Sequence, residues 1–84
     1  MHSNMVVLGE GNNGFMCMEV HFASDYLGQI RVTMVVWTPN TDEELRFRLR
    51  GFTERNFHGL HAYRKIRRLW LYAGSVLIPR TSTS

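Results

Sequence analysis

Apolar and polar residues alternate along two stretches in the N-terminal half of this chain. In the segment from residue 15 to residue 23, the alternate positions 16, 18, 20 and 22 are apolar, with Cys17, Glu19 and His21 between them. The same period of two returns between Ile30 and Trp37, and a β-strand is the conformation that places alternate side chains on opposite faces. The pattern predicts two half-buried strands whose core face carries Met16, Met18, Val20, Phe22, Ile30, Val32, Met34 and Val36.

Glycine, asparagine and proline separate these predicted strands. A short apolar run at residues 5–8 precedes residues 9–14, a segment rich in glycine and asparagine, which tolerate positive φ and form tight turns. We therefore expect an additional strand followed by a hairpin loop. A second turn is predicted at residues 24–28, and Pro39 ends the strand that begins at Ile30.

The segment from residue 41 to residue 50 fits two interpretations. Thr41 and Glu44 have the spacing of a helix capping box, and Gly51 could end such a helix. As a strand, the segment alternates large apolar residues with arginines, whereas a helix would scatter the apolar residues around its axis. We favour the strand, which places Leu45, Phe47 and Leu49 on one face and Arg46, Arg48 and Arg50 on the other.

Helical spacing follows in the C-terminal half. Thr53 and Glu54 could begin a helix, and residues 73–74 could end it. Residues 75–78 then resemble a short buried strand that Pro79 ends. The predicted packing stripe of the helix consists of Leu60, Tyr63, Ile66 and Trp70.

These elements predict an α+β fold, a small antiparallel sheet of about four or five strands packed against one long helix in the C-terminal half. With 84 residues, of which 44% are hydrophobic, the chain can bury one core. We expect a single domain over residues 1–84 with frayed ends at residues 1–4 and 80–84. The single cysteine excludes an internal disulfide and favours the cytoplasm. The longest uncharged stretch, residues 69–79, is shorter than the ~18 residues of a spanning helix, so no membrane contact is expected.

Charge is divided unevenly along the chain, although the net charge is only +3. Residues 1–44 contain six acidic residues and one basic residue, while residues 45–84 contain nine basic residues and one acidic residue. All but one of the cations are arginine, whose planar guanidinium makes paired hydrogen bonds to phosphate or carboxylate. The predicted binding surface consists of Arg46, Arg48, Arg50, Arg64, Lys65, Arg67 and Arg68.

This basic surface predicts a small, non-catalytic binding module that contacts the phosphates of RNA or DNA. Successive arginines on one strand face stand ~6.6 Å apart, close to the spacing of phosphates along a nucleic-acid strand. An acidic protein surface is the other partner that such a surface favours. The same arginines could instead pair with the acidic half of the chain or remain in solvent.

No constellation of residues predicts a metal site, a cofactor or a catalytic site. Cys17 and His21 are separated by about 13 Å along a strand, too far to share a zinc ion with His58 and His61. An open strand face is also a poor setting for a cysteine nucleophile, because water has to be excluded. The glycines at residues 9–14 lack the lysine and the helix of a phosphate-binding loop. We therefore expect a protein that is not an enzyme.

The residues Arg55, Asn56 and His61 are similar to the arginine-to-histidine motif of the HEPN ribonucleases. In that family both side chains act on the scissile phosphate, so the resemblance implies ribonuclease activity in an entirely helical fold. It covers residues 55–61 only. The N-terminal half predicts strands instead, and a HEPN-like ribonuclease ranks third among the functions that we consider.

Small size without a catalytic set indicates a further function. Phage-encoded anti-host proteins, including anti-CRISPR proteins, resemble this chain in general character, because they are compact and poor in cysteine. That resemblance implies a stoichiometric inhibitor or adaptor that binds a protein. Val35 and Trp37, opposite the core face, form the candidate protein interface, which we expect the helix or a partner to cover. Self-association through this patch would give a homodimer.

Overall fold

The protein is described by a computed structural model that covers residues 2–11, 14–39 and 41–78. Its elements are β1 (His2–Gly11), β2 (Gly14–Ser24), β3 (Ile30–Trp37), β4 (Glu44–Arg48) and α1 (Leu60–Leu77). The strands pair antiparallel in the order β1-β2-β3-β4, so each strand lies beside the one before it in the chain. An antiparallel sheet with one C-terminal helix confirms the α+β class. Among the described helical residues, no segment is long and apolar enough to cross a membrane.

The core face of β2 and β3 follows the predicted alternation. The apolar residues of β2 and β3 that share this face are buried in one hydrophobic cluster, except the first residue of β3, Ile30. Ile30 is 47% exposed, because it begins β3 at the end of the sheet, where it pairs with Ser24. The buried members of the two strands are Met16, Met18, Val20, Phe22, Val32, Met34 and Val36.

The segment between residues 41 and 50 contains a strand, as the alternation of its side chains predicts. β4 pairs with β3 over its whole length. The Leu49 N–H donates to the carbonyl of Val32 at 2.9 Å, so the pairing continues one residue beyond β4. Leu45 and Phe47 pack against the core cluster, and Leu49 belongs to it.

The turn between β2 and β3 forms where the sequence predicts it. The carboxylate of Asp25 accepts hydrogen bonds from the backbone N–H groups of Leu27 and Gln29, each at 2.9 Å. Gly28 has a φ of 79°, in the left-handed region that glycine adopts without steric cost. An aspartate that binds the backbone two and four residues later is a local device, which explains why sequence was sufficient here.

The outcome for the loop and chain ends is mixed. The hairpin loop between β1 and β2 is shorter than the predicted residues 9–14, because residues 9–11 belong to β1 and Gly14 begins β2, so the strands meet at the Gly11–Gly14 pair. The tip of this loop, residues 12 and 13, lies outside the described residues, and so does the predicted frayed tail at 80–84. At the other end, β1 begins at His2, within the segment that we expected to fray.

The helix begins later than predicted. α1 starts after Gly59, and the preceding residues 54–58 form turns. The Thr53 N–H donates to Oδ1 of Asn56 at 2.6 Å, and the Asn56 N–H donates to Oγ1 of Thr53 at 3.4 Å. These side chains therefore cap a local turn, which is the alternative use of residues that favour helix starts.

The predicted last strand at residues 75–78 is wrong, because α1 continues to Leu77. Leu77 is buried in the core cluster one helical turn after Ala73, so packing favours continuation of the helix. Gly74 does not end the helix. A Cβ at this glycine would lie 3.3 Å from Cε of Met16, which shows how closely the helix approaches β2.

The packing stripe of α1 is rotated from the predicted one. Leu60 and Tyr63 are 63% and 60% exposed, although Ile66 and Trp70 do pack against the core. The prediction favoured large side chains, whereas the helix lies close to the sheet at small ones, where large side chains would not fit. The observed stripe consists of Ala62, Ile66, Leu69, Ala73 and Leu77.

Candidate nucleic-acid interface

The seven cations predicted to form one binding surface lie on opposite sides of the molecule. Because the apolar residues of β4 pack against the core, Arg46 and Arg48 face away from it, on the side of the sheet that α1 does not cover. We call this side the open face. The cations of α1 lie beyond the core, on the far side of the helix. The sheet and the helix thus separate two sets of charges that are adjacent in sequence.

The helix cluster consists of Arg64, Arg67 and Arg68. Spacings of three and four residues place these side chains on one side of the helix, and all three are exposed. Within the described part of the chain, none of them forms an ion pair. α1 contains no acidic residue, so nothing within the helix balances this charge. Lys65, which is half-buried, lies at the edge of the cluster.

Large apolar side chains accompany the helix cluster. Leu60 and Leu71 lie on the same side of the helix as Arg64 and Arg67, because these positions repeat at intervals of three and four residues. Both leucines are 63% exposed. A surface that mixes guanidinium groups with apolar and aromatic groups suits nucleic-acid bases and also protein partners. The exposed apolar residues of α1 are Leu60, Tyr63, Leu71, Tyr72 and Val76.

The open face carries two further arginines, Arg31 and Arg48, and Arg50 follows in the turn after β4; we call these three residues the sheet cluster. All three are exposed. Arg48 pairs with Thr33 across the sheet, and Arg31 lies two residues from Thr33 on β3. Arg50 lies in the turn that follows β4, one residue after Leu49, whose N–H donates to the carbonyl of Val32.

Arg31 was absent from the predicted binding residues because it is the one cation of the acidic half of the chain. The signal that could have found it is the alternation of β3. Arg31 precedes Val32, a core residue, and therefore belongs on the same face as the β4 arginines. Placing it beside Arg48 also requires the register between the two strands, which the sequence alone did not provide.

Arg46 differs from the other strand arginines, because its charge is balanced. Its Nε and Nη2 atoms donate to Oε1 of Glu44 at 3.2 Å and 2.9 Å. On β2, Nε2 of His21 pairs with the carboxylate of Glu19. Both pairs line a shallow groove of about 310 Å³ that Asp42 and other acidic residues also border. This end of the open face is therefore acidic, while the sheet cluster lies at the other end.

The candidate protein interface, Val35 and Trp37, lies on the open face as expected. The helix does not cover it, since α1 packs against the opposite face. Val35 is only 4% exposed between its cross-strand neighbours Glu19 and Arg46. Trp37 is half-buried at the groove. Only the tryptophan therefore presents appreciable apolar surface to a partner at this position.

The residues that resemble the HEPN motif have structural roles in a fold that is not entirely helical. The side chain of Asn56 caps the turn before α1 and also donates to the carbonyl of Gly51 at 3.5 Å. His61 is in the first turn of α1, where its ring stacks on Phe52 with centroids 5.3 Å apart. Arg55 is exposed in the turn. These contacts account for the asparagine and the histidine without a bound phosphate.

The residues considered for metal binding and for nucleophilic catalysis remain dispersed. Cys17 is buried in the sheet, and His21 pairs with Glu19. Over the described ranges, no three side chains of the types that bind metals come together. No protein-family model, curated protein or solved structure matches this chain. Function is therefore inferred from surface chemistry.

Proposed function

We propose that this protein is a non-catalytic module that binds RNA or DNA, and that the outer surface of α1 makes the main contact. The observation that carries the proposal is the helix cluster, three exposed arginines without an acidic partner among the described residues. Each guanidinium can donate two parallel hydrogen bonds to a phosphate. Neutralising phosphates releases counterions from the nucleic acid, which favours binding at low salt.

The shape and side chains of α1 also support this proposal. An exposed helix fits the major groove of B-form DNA, which is about 12 Å wide. Tyr63 is exposed, and an aromatic ring of this kind can stack on the bases of single strands. The strand arginines predicted for the same surface take no part in the contact that α1 makes, because Arg46 and Arg48 lie on the open face and Arg50 follows β4. Lys65, which is half-buried, contributes less than the three arginines of the helix cluster.

The test is simultaneous replacement of the helix cluster, Arg64→Gln, Arg67→Gln and Arg68→Gln. Glutamine keeps a high helix propensity and the three side chains are exposed, so the fold should be retained. We expect binding to labelled single-stranded and duplex oligonucleotides to weaken about tenfold or more, measured by fluorescence anisotropy. The slope of log affinity against log salt should fall by about three, one for each lost phosphate contact.

The matched control is the double variant Arg46→Gln and Arg55→Gln, which removes two exposed charges outside both clusters. Its affinity should stay within about twofold of the wild type, since both positions lie outside the helix cluster. Equal weakening by the control would show that net charge, not the helix cluster, determines binding. If the wild type binds no polynucleotide at low salt, the proposal is rejected.

A second candidate function is a protein-binding inhibitor or adaptor, and one observation favours it. Five large apolar residues are exposed on a single helix, and exposed apolar surface often marks a protein interface. Nuclease treatment separates the two functions. A complex that survives nuclease on size exclusion has a protein partner, whereas a complex that dissociates contained nucleic acid.

A further inference from the structure

We propose that one molecule of this protein bridges two nucleic-acid segments, the helix cluster holding the first and the sheet cluster holding the second. The inference rests on the proposed nucleic-acid binding and adds a second site and a distinct activity to it. It follows from the position of the two clusters on opposite sides of the molecule. A straight nucleic-acid segment cannot lie on both sides at once, so each cluster needs a segment of its own.

The sheet cluster has the chemistry of a phosphate site. Arg48 on β4 lies directly opposite Thr33 on β3, and Arg31 is two residues before Thr33. The two guanidinium groups therefore extend from diagonal positions on neighbouring strands. Such diagonal neighbours on adjacent strands stand about 7–8 Å apart, which is close to the spacing of successive phosphates. In the described residues, ion pairs form at His21 and Arg46 but not at the sheet cluster.

The acidic groove on the same face does not cancel this charge. Glu44 is four residues from Arg48 along β4, a distance of about 13 Å, and salt screens exposed charges beyond about 8 Å at physiological ionic strength. Glu44 is also already paired with Arg46, and the carboxylate of Glu19 is hydrogen-bonded to His21. A phosphate backbone can therefore approach the sheet cluster from the end of the sheet that is away from the groove.

The experiment measures capture of a second oligonucleotide by a first. A biotinylated 30-base-pair duplex on beads is saturated with protein and washed, and a fluorescent duplex of the same sequence is then added at moderate salt. We expect the wild type to capture the second duplex. The variant Arg31→Gln, Arg48→Gln and Arg50→Gln should load the beads within about twofold of the wild type, because the helix cluster is intact, but capture less than a tenth of the second duplex.

The matched control is Arg46→Gln, which changes an arginine of the same face that is balanced by Glu44. It should capture the second duplex like the wild type. Undiminished capture by the sheet-cluster variant would overturn the proposal and would assign bridging to a second copy of the chain. If the wild-type protein loads onto the first duplex but does not capture the second, bridging alone is overturned. If the protein does not load onto the first duplex, nucleic-acid binding is overturned as well.

Discussion

Phe22 links the sheet to the irregular segment that precedes the helix. Its side chain is buried on the core face of β2, and its ring meets that of Phe57 edge-on at a centroid distance of 5.2 Å. Phe57 in turn meets Phe52 at 6.3 Å, again edge-on. A local strand pattern predicted the buried position of Phe22, but it contained no information about Phe57 and Phe52, which lie thirty or more residues further along the chain.

Phe22→Ala should destabilise the protein by ~3–5 kcal/mol, because it removes buried apolar surface and leaves a cavity between β2 and the segment before α1. Urea unfolding followed by circular dichroism measures this change. Ile30→Ala is the matched control, since both residues were predicted for the core but Ile30 is exposed. We expect the control to cost below ~1 kcal/mol. A similarly small loss for Phe22→Ala would mean that the core is assembled differently.

The pattern of apolar residues predicted β4 correctly but predicted the wrong packing side for α1. In β4, strict alternation over a few residues decided correctly between strand and helix, although the first residues also resembled a helix cap. In α1, the 3.6-residue period was correct, but the size of the side chains indicated the wrong side. Small residues at Ala62 and Ala73 allow the helix to lie close to the sheet, and both are fully buried. The value of a small residue in packing depends on the distance to the neighbouring element.

Gly74→Ala should stabilise the protein by up to ~1 kcal/mol. Alanine favours helix over glycine by about this amount, and the new Cβ would meet only the flexible end of the Met16 side chain, at 3.3 Å. Thermal unfolding measures the gain.

The neighbouring substitution Ala73→Leu provides the contrast. Ala73 is fully buried, so a larger side chain should cost ~1–3 kcal/mol through overpacking. A loss of more than about 1 kcal/mol for Gly74→Ala would show that neither the helix nor the Met16 side chain can shift to make room for the new Cβ. Equal effects of the two substitutions would contradict the described orientation of α1.

The whole molecule is held together by one hydrophobic core between the open sheet and the helix. Apart from the backbone hydrogen bonds that pair the strands, the described polar contacts are local, such as the Asp25 turn and the Thr53–Asn56 turn. The two described ion pairs each join residues two positions apart on one strand. Long-range stability therefore comes from burial of apolar side chains. The opposite charges of the two halves of the chain have little part in it.

Removal of metal ions should leave the stability of the molecule unchanged. Dialysis against a strong chelator is expected to shift the melting temperature by less than about 1 °C, since the stability is attributed to the apolar core and not to a metal. Re-addition of zinc to the dialysed protein is the control. A decrease of several degrees that zinc reverses would indicate a metal site, with His58 and His61 as the first residues to replace.

The sequence alone was sufficient for the α+β class, the core faces of β2 and β3, the strand at β4 and the turn at Asp25. Each of these depends on neighbours within a few residues, through alternation or through a side chain that binds nearby backbone. The start of α1, its continuation through Leu77 and its packing stripe depended instead on tertiary contacts. So did the division of the arginines between two faces and the placement of Arg31 diagonally across from Arg48. Such features require the distance and register between elements, and those exist only after the helix and the strands have packed together.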